Sequence, residues 1–437
     1  MADNSRLIRN CRLARFDSMD TVDTDIRIVD GSITEIGRLA PAEEESVLDA
    51  QGMLCMPAFV DTHTHLVQSL QKGRMDGLCI TDWLVKMLTT EQSLTQEEYY
   101  YGTLLGLMQG LRFGVTTFHD MMQYPWMEAA VQAYETAGLR VVMGLGATDV
   151  AENEKTYMLT VDDAVKQAEE VYSRFYGANG GLIRTDVAPL GLPACSKELM
   201  QALKAFTREH GLTFHTHLAE GRMETERVRA RTGWGEGETL YRYGLLDEKT
   251  ILAHSIWLEE RELDLIAESQ ATVAHCPCTN MKISDGIPPI DRMAAKGVRL
   301  AMGCDGEASS SNRDMIREMH AGTLLQKVVT GRPQALPEPL CYRMMTENGA
   351  RALGFDDLGS VAVGNRADLI LVDMGDISLV GEQTQLSNFL YAGTGFQVDT
   401  VLVEGVVRLR NKQFVDFDAQ ALMAKCEQVI RGIYARL

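Results

Sequence analysis

No apolar run in these 437 residues approaches the roughly 20 residues that span a bilayer, which argues against a helical membrane protein. Positive charge is in short supply, with 42 Lys and Arg against 61 Asp and Glu and a net charge of −19. Such a surface repels phosphate backbones and anionic lipid, so neither nucleic acid nor a membrane is expected as a partner. Proline is scarce at 11 residues and apolar content is an ordinary 45%, so nothing points to a disordered or fibrous chain. Paired cysteines are missing as well. The nine cysteines are odd in number and scattered, and only Cys276 and Cys278 lie close together. That is no disulfide framework, and it fits a reducing compartment. Cys276-Pro277-Cys278 reads as a packing pair near a strand end, because no second Cys or His pair stands at zinc-finger spacing. The leading segment MADNSRLIRNCRL has no apolar core before a small-residue cleavage site, so a cytoplasmic location is expected.

What the chain does carry is a regular alternation of short β-like runs with amphipathic helical ones. Eight β-like runs follow one another: LCMPAFVDTHTH, VTTFHDMM, LRVVMGLGA, IRTDVAPLG, LTFHTHLAE, TILAHSIWL, ATVAHCPC and VRLAMGCDG. Helical stretches lie between them, among them 99–113, 161–172 and 197–210. This is the pattern of βαβ units, and eight of them predict a (β/α)8 TIM barrel over residues 58–359. The flanks differ. Residues 1–57 alternate in DIRIVDGSITEIG, with a turn at Asp30-Gly31, and residues 360–437 do so in SVAVGNRADLILVDM and VDTVLVEGVVRLRNKQFV. They are expected to pair into a small β-sandwich built from both termini and closed by a helix from Asp418 to Leu437.

A set of metal-ligand residue types closes these strands. His63 and His65 sit two residues apart on a strand, so both face the same way and can bind one ion. FHTHLAE offers His215 and His217. We take His217 as the ligand, because Glu220 follows three residues later and brings a carboxylate over the same metal and its water. His215 shares the inward face one layer deeper and reads as a core histidine. His254 in ILAHSIWL and Asp305 in LAMGCDGEAS complete the set. Imidazoles and a carboxylate at barrel strand ends suggest one divalent metal activating one water, hence hydrolysis. Zinc suits these donors, and Fe2+ is compatible with them. His119 and His275 are expected in the core or behind the site, His210 and His320 at the surface.

These motifs resemble the amidohydrolase superfamily, and within it the methylthioadenosine/S-adenosylhomocysteine deaminases and the related triazine hydrolases. The similar pieces are PAFVDTHTHL, the DWL at 82–84, GVTTFHDM, HTHLAE, AHSIWL, HCPCTNMKISDGIPPI, MGCDGEAS and LGSVAVGNRADLILVD, which together span nearly the whole chain. The resemblance implies that His63, His65, His217 and Asp305 bind a single metal while Glu220, His254 and Asp305 move protons. The activated water would attack the ring carbon bearing an amino group, and Glu220 would protonate the neighbouring ring nitrogen, breaking the delocalisation that protects the C–NH2 bond. His254 would stabilise the tetrahedral oxygen, and ammonia would leave. The same likeness places Trp83 against a flat ring, where its residue type equally suits an apolar plug, Glu91 at ribose hydroxyls, and Asn280 and Ser309 in substrate contact or just behind it. It also implies a homo-oligomer acting on a small heterocyclic substrate.

Two departures bear on that substrate. Where adenosine-type deaminases carry Pro-His-Ser-Pro, this chain reads Pro189-Leu190-Gly191-Leu192, so the wall is apolar at Leu190. Between the third and fourth strands no arginine precedes Arg174, so no carboxylate clamp is evident. Both departures point away from a thioadenosine and toward a smaller aminated ring such as a pterin, an oxidised purine or a triazine, within a reading that takes in purine, nucleoside, pterin and triazine rings. The alternatives are a triazine-type hydrolase expelling chloride or thiolate, and a cyclic amidase. The latter needs a metal-bridging lysine at the fourth strand end, and IRTDVAPLG has none.

Overall fold

The computed structural model describes residues 5–381 and 385–437. Eight parallel strands follow chain order around a barrel: Phe59–Thr64, Val115–Met122, Arg140–Ala147, Ile183–Pro189, Phe214–Leu218, Thr250–His254, Thr272–His275 and Arg299–Met302. They coincide with the eight β-like runs. The first and eighth strands meet where Thr62 Oγ1 donates to the Met302 carbonyl at 2.7 Å and the Asp305 N–H donates to the His63 carbonyl at 2.8 Å. Helices cover the outside, as strands buried on both faces require.

Capping residues set the helix bounds. Thr95 and Glu98 form a reciprocal capping box that starts the helix Gln96–Arg112, three residues ahead of the periodicity-based bound. Thr160 and Ser196 cap Val161–Phe175 and Lys197–His210 by accepting backbone N–H groups. The latter helix stops at Gly211, whose φ of 71° a side chain would disfavour.

Strands from both termini build the flanking β-sandwich domain, hydrogen-bonded as one sheet of nine strands. Met53–Pro57 is its junction, pairing with Ser5–Arg15 on one side and Leu369–Asp373 on the other. Asp30 and Gly31, at φ of 48° and 80°, form the expected two-residue turn between Val29 and Ser32. Period-two alternation gives this sheet two apolar faces. Cys55, Leu369, Leu371 and Leu402 face a core of its own with Ile8 and Ile26, whereas Leu54, Met56, Ile370 and Val401 join the barrel core. The last helix, Ala419–Arg436, is capped by Asp418 and returns to the helix Gln96–Arg112 through Arg436 and Glu98. All nine cysteines are free. No helix among the described residues is long and apolar enough to cross a membrane.

Candidate active site

Every candidate ligand lies at a C-terminal strand end, where barrel loops converge. His63 is on the first strand and His65 just beyond it; His217 is on the fifth, with Glu220 two residues past its end. His254 ends the sixth strand, and Asp305 follows the eighth. Their side chains meet. Nε2 of His63 and of His65 lie 3.4 and 3.5 Å from Asp305 Oδ1, and His254 Nε2 lies 3.6 Å from Glu220 Oε1. His63, His217 and His254 hold ring nitrogens within 4.8 Å of one another, as do the donor atoms of His63, His65 and Asp305.

Hydrogen bonds fix the tautomers. Nδ1 of His65 donates to the Met121 carbonyl at 3.1 Å, Nδ1 of His217 to that of Leu190 at 2.6 Å, and Nδ1 of His254 to Asn280 Oδ1 at 2.9 Å. Each acceptor leaves the corresponding Nε2 with a bare lone pair turned to the centre. Burial lowers His63 to about 3 and pushes His65 and His217 down as well. Asp305 is held from the other side, its Oδ2 accepting from Thr279 Oγ1 at 2.8 Å and Ser309 Oγ at 2.9 Å. Asn280 and Ser309 therefore stand behind His254 and Asp305 rather than in front of them.

The backbone is strained here. Ala219, His254, Ser255 and Asp305 all adopt left-handed φ, between 47° and 67°, each costing roughly 1–3 kcal/mol. Tertiary bonds sustain these turns. Glu236 accepts the Ala219 N–H at 3.2 Å, and the Ser255 N–H donates to the Leu218 carbonyl at 2.9 Å.

A cavity opens over the cluster. One wall is the helix Ile80–Gln92, where Trp83, Met87 and Glu91 are spaced four apart and so share one face. Trp83 Nε1 is buried without a partner, and Glu91 is 8% exposed. Burial, then Asp120, raises the Glu91 carboxyl to about 7. Leu190 lines the opposite wall with Pro193 and Ala194. Glu220 faces this space, and burial, helped by Asp305 and Glu224, drives its pKa well above the usual carboxyl range.

His215 lies one layer deeper, as expected. It stacks on His63 at 4.9 Å and on His119 at 4.2 Å, and His119 in turn meets both oxygens of Asp186 at 3.1 Å. His275 is buried, while His210 and His320 are half-buried on outer helices.

Besides Glu236, three more contributors escaped the sequence reading. Asp285, in the loop after the seventh strand, faces Glu220, and burial and that neighbour push it up to about 9. Its segment Ser-Asp-Gly has only a turn signature. Arg313, fully buried, donates to the carbonyls of His65 and Asp305, each at 3.3 Å. Asp61 lies 3.8 Å from Arg313 and accepts the Cys304 N–H at 2.9 Å, tying the first strand to the eighth. An aspartate two residues before the first histidine was the one available signal.

Comparison with known proteins agrees with this geometry. Residues 54–408 match the model of the amidohydrolase family. A 5′-deoxyadenosine deaminase of Methanobrevibacter smithii is 31% identical, with 99% of each chain covered. A 5-methylthioadenosine/S-adenosylhomocysteine deaminase of Pyrococcus furiosus is 33% identical, covering 97% of this chain and all of its own (100%). Among solved structures, an adenosine deaminase from Xanthomonas campestris with bound zinc superposes with a TM-score of 0.91 at 27% identity, with 98% of each chain covered.

Proposed function

The chain belongs to the amidohydrolase family and is a hydrolytic deaminase of an aminated heteroaromatic ring; from that premise we propose that it deaminates a 6-aminopurine nucleoside at a site holding one zinc ion. Residues 58–359 would form the catalytic barrel, with 1–57 and 360–437 as the flanking domain. One observation carries the reading: bare imidazole nitrogens converge on one carboxylate, directly beside a half-buried Glu220 that favours its protonated form.

The donor set fits a divalent cation. Nε2 of His63 is buried without a hydrogen-bond partner, and three neutral imidazoles with one carboxylate are ligands that zinc accepts. His63, His65, His217 and Asp305 would hold the ion. When bound, it supplies Lewis acidity that lets a water attack at neutral pH.

The remaining work falls to the protein. Trp83 offers a flat apolar face to the ring, and Glu91 offers acceptors to sugar hydroxyls. Glu220, protonated, gives its proton to the ring nitrogen next to the aminated carbon, making that carbon electrophilic. Nε2 of His254 is an acceptor while the ring is neutral, so it takes a proton from the attacking water. It then presents an N–H to the oxygen of the adduct. That proton passes through Asp305 to the amino group, the C–N bond breaks, and ammonia leaves. The proton of the new C–OH group returns to Glu220, leaving a lactam. Leu190 and its apolar neighbours suit a nucleoside lacking a polar 5′ group, the kind named for the Methanobrevibacter relative.

A screen for ammonia release by zinc-loaded protein, across aminopurine nucleosides, pterins, cytosine derivatives and triazines, tests the proposal. Turnover confined to pterins or triazines would contradict it.

A further inference from the structure

The cavity holds more carboxyl groups than the chemistry uses. Beyond Glu220 and Asp305 it is lined by Glu91, Glu152, Glu224 and Glu236, against a single cation among the described residues, Arg227. That cation is already matched, its guanidinium 2.8 Å from Glu224 Oε1 and 3.9 Å from Glu152 Oε1. Glu236 is occupied by Thr225 and the Ala219 N–H. The others keep free acceptor capacity. Oε2 of Glu224 is buried without a partner, and Glu91, more than nine-tenths buried, accepts no side-chain hydrogen bond from a described residue. Leu84, Met87 and Leu190 line the same space, so its walls are partly apolar.

We propose that the site discriminates by the charge of the substituent on its substrate, accepting an ammonium-bearing nucleoside and rejecting a carboxylate-bearing one through Glu152 and Glu224. This rests on the nucleoside deaminase reading above. At this wall of the cavity a carboxylate would shed its water beside two glutamates, with Arg227 already paired to both. An ammonium would find Glu224 Oε2 and Glu152. Like-charge juxtaposition in a desolvated site costs enough to separate the two by about a hundredfold in kcat/KM.

The test compares three probes that share the adenine ring: 5′-deoxyadenosine, 5′-amino-5′-deoxyadenosine and adenosine 5′-carboxylic acid. Ammonia release is measured with the zinc-loaded wild type and with the Glu152→Gln/Glu224→Gln double variant. We expect the neutral probe to turn over and the amine to exceed the acid by about a hundredfold. In the double variant Arg227 is released from its partners, and the amine-to-acid ratio falls at least tenfold. Turnover of the neutral probe with the acid equal to or better than the amine overturns the proposal alone, and so does a wild-type ratio that the double variant leaves unchanged. If none of the three releases ammonia, the nucleoside reading fails and this proposal fails with it. The wild-type ratio stands as a test even if the double variant does not fold.

Discussion

His254 Nε2 lies 3.6 Å from Glu220 Oε1, while Nδ1 of the same ring is fixed 2.9 Å from Asn280 Oδ1. One group poised to accept a proton therefore faces one poised to give it. Glu220→Gln keeps the shape and removes the transferable proton. It should retain full metal content while kcat falls about a thousandfold or more. Metal analysis and an ammonia assay on the same preparation check this, and near-normal turnover contradicts the role.

His217 and His215 differ in what their nitrogens can reach. His217 is anchored by the Leu190 carbonyl at 2.6 Å with Nε2 toward the cluster, whereas His215 stacks beneath His63 at 4.9 Å. His217→Ala should lose most of the bound metal on dialysis. His215→Ala should keep near-stoichiometric metal but unfold at a lower temperature, since it leaves a hole in the barrel core. The reverse pattern in metal content would show that the wrong imidazole was assigned.

Asp285 and Glu220 are two carboxyls in contact, and such a pair holds its last proton to high pH because both cannot ionise cheaply. In Asp285→Asn the carboxyl that keeps the pair's last proton to about 9 is gone, so the site as a whole loses its last proton at lower pH. The alkaline limb of kcat/KM should move down by about one pH unit. An unmoved limb separates Asp285 from the proton chemistry.

Glu91 makes a stability prediction. Burial, then Asp120, raises its carboxyl from 4.5 to about 7 in the folded protein, so between these values the folded state binds more protons than the unfolded one. Its contribution is fully present below pH 4.5 and is lost as pH rises towards 7. Wild-type protein should therefore lose about 2 kcal/mol more than Glu91→Gln in urea unfolding between pH 5 and pH 8. Parallel pH dependence in the two proteins would contradict the burial-driven shift.

The barrel and the ligand set were legible because their signals are local. Apolar runs of strand length recur, and His63, His65, His217, His254 and Asp305 each close one of them, so fold and site read in a single pass. The segments around DIRIVDGSITEIG and SVAVGNRADLILVDM likewise announced a flanking sheet, and the structure shows that it has two apolar faces. Asp285, Arg313 and Glu236 were not legible in this way. Each acts across long sequence separation, on Glu220, on the His65 and Asp305 carbonyls and on the Ala219 N–H, and nothing near them in the chain marks the partner. Glu91 and Trp83 were suggested by resemblance, but only the helix Ile80–Gln92 shows that one face carries both.

The central claim is that water replaces the ring amino group. Turnover of 5′-deoxyadenosine by the zinc-loaded protein in 18O-labelled water tests it directly. The predicted product carries one 18O on the former amino carbon, with one ammonia released per label and the glycosidic bond intact. Unlabelled product, free adenine, or no ammonia would contradict it.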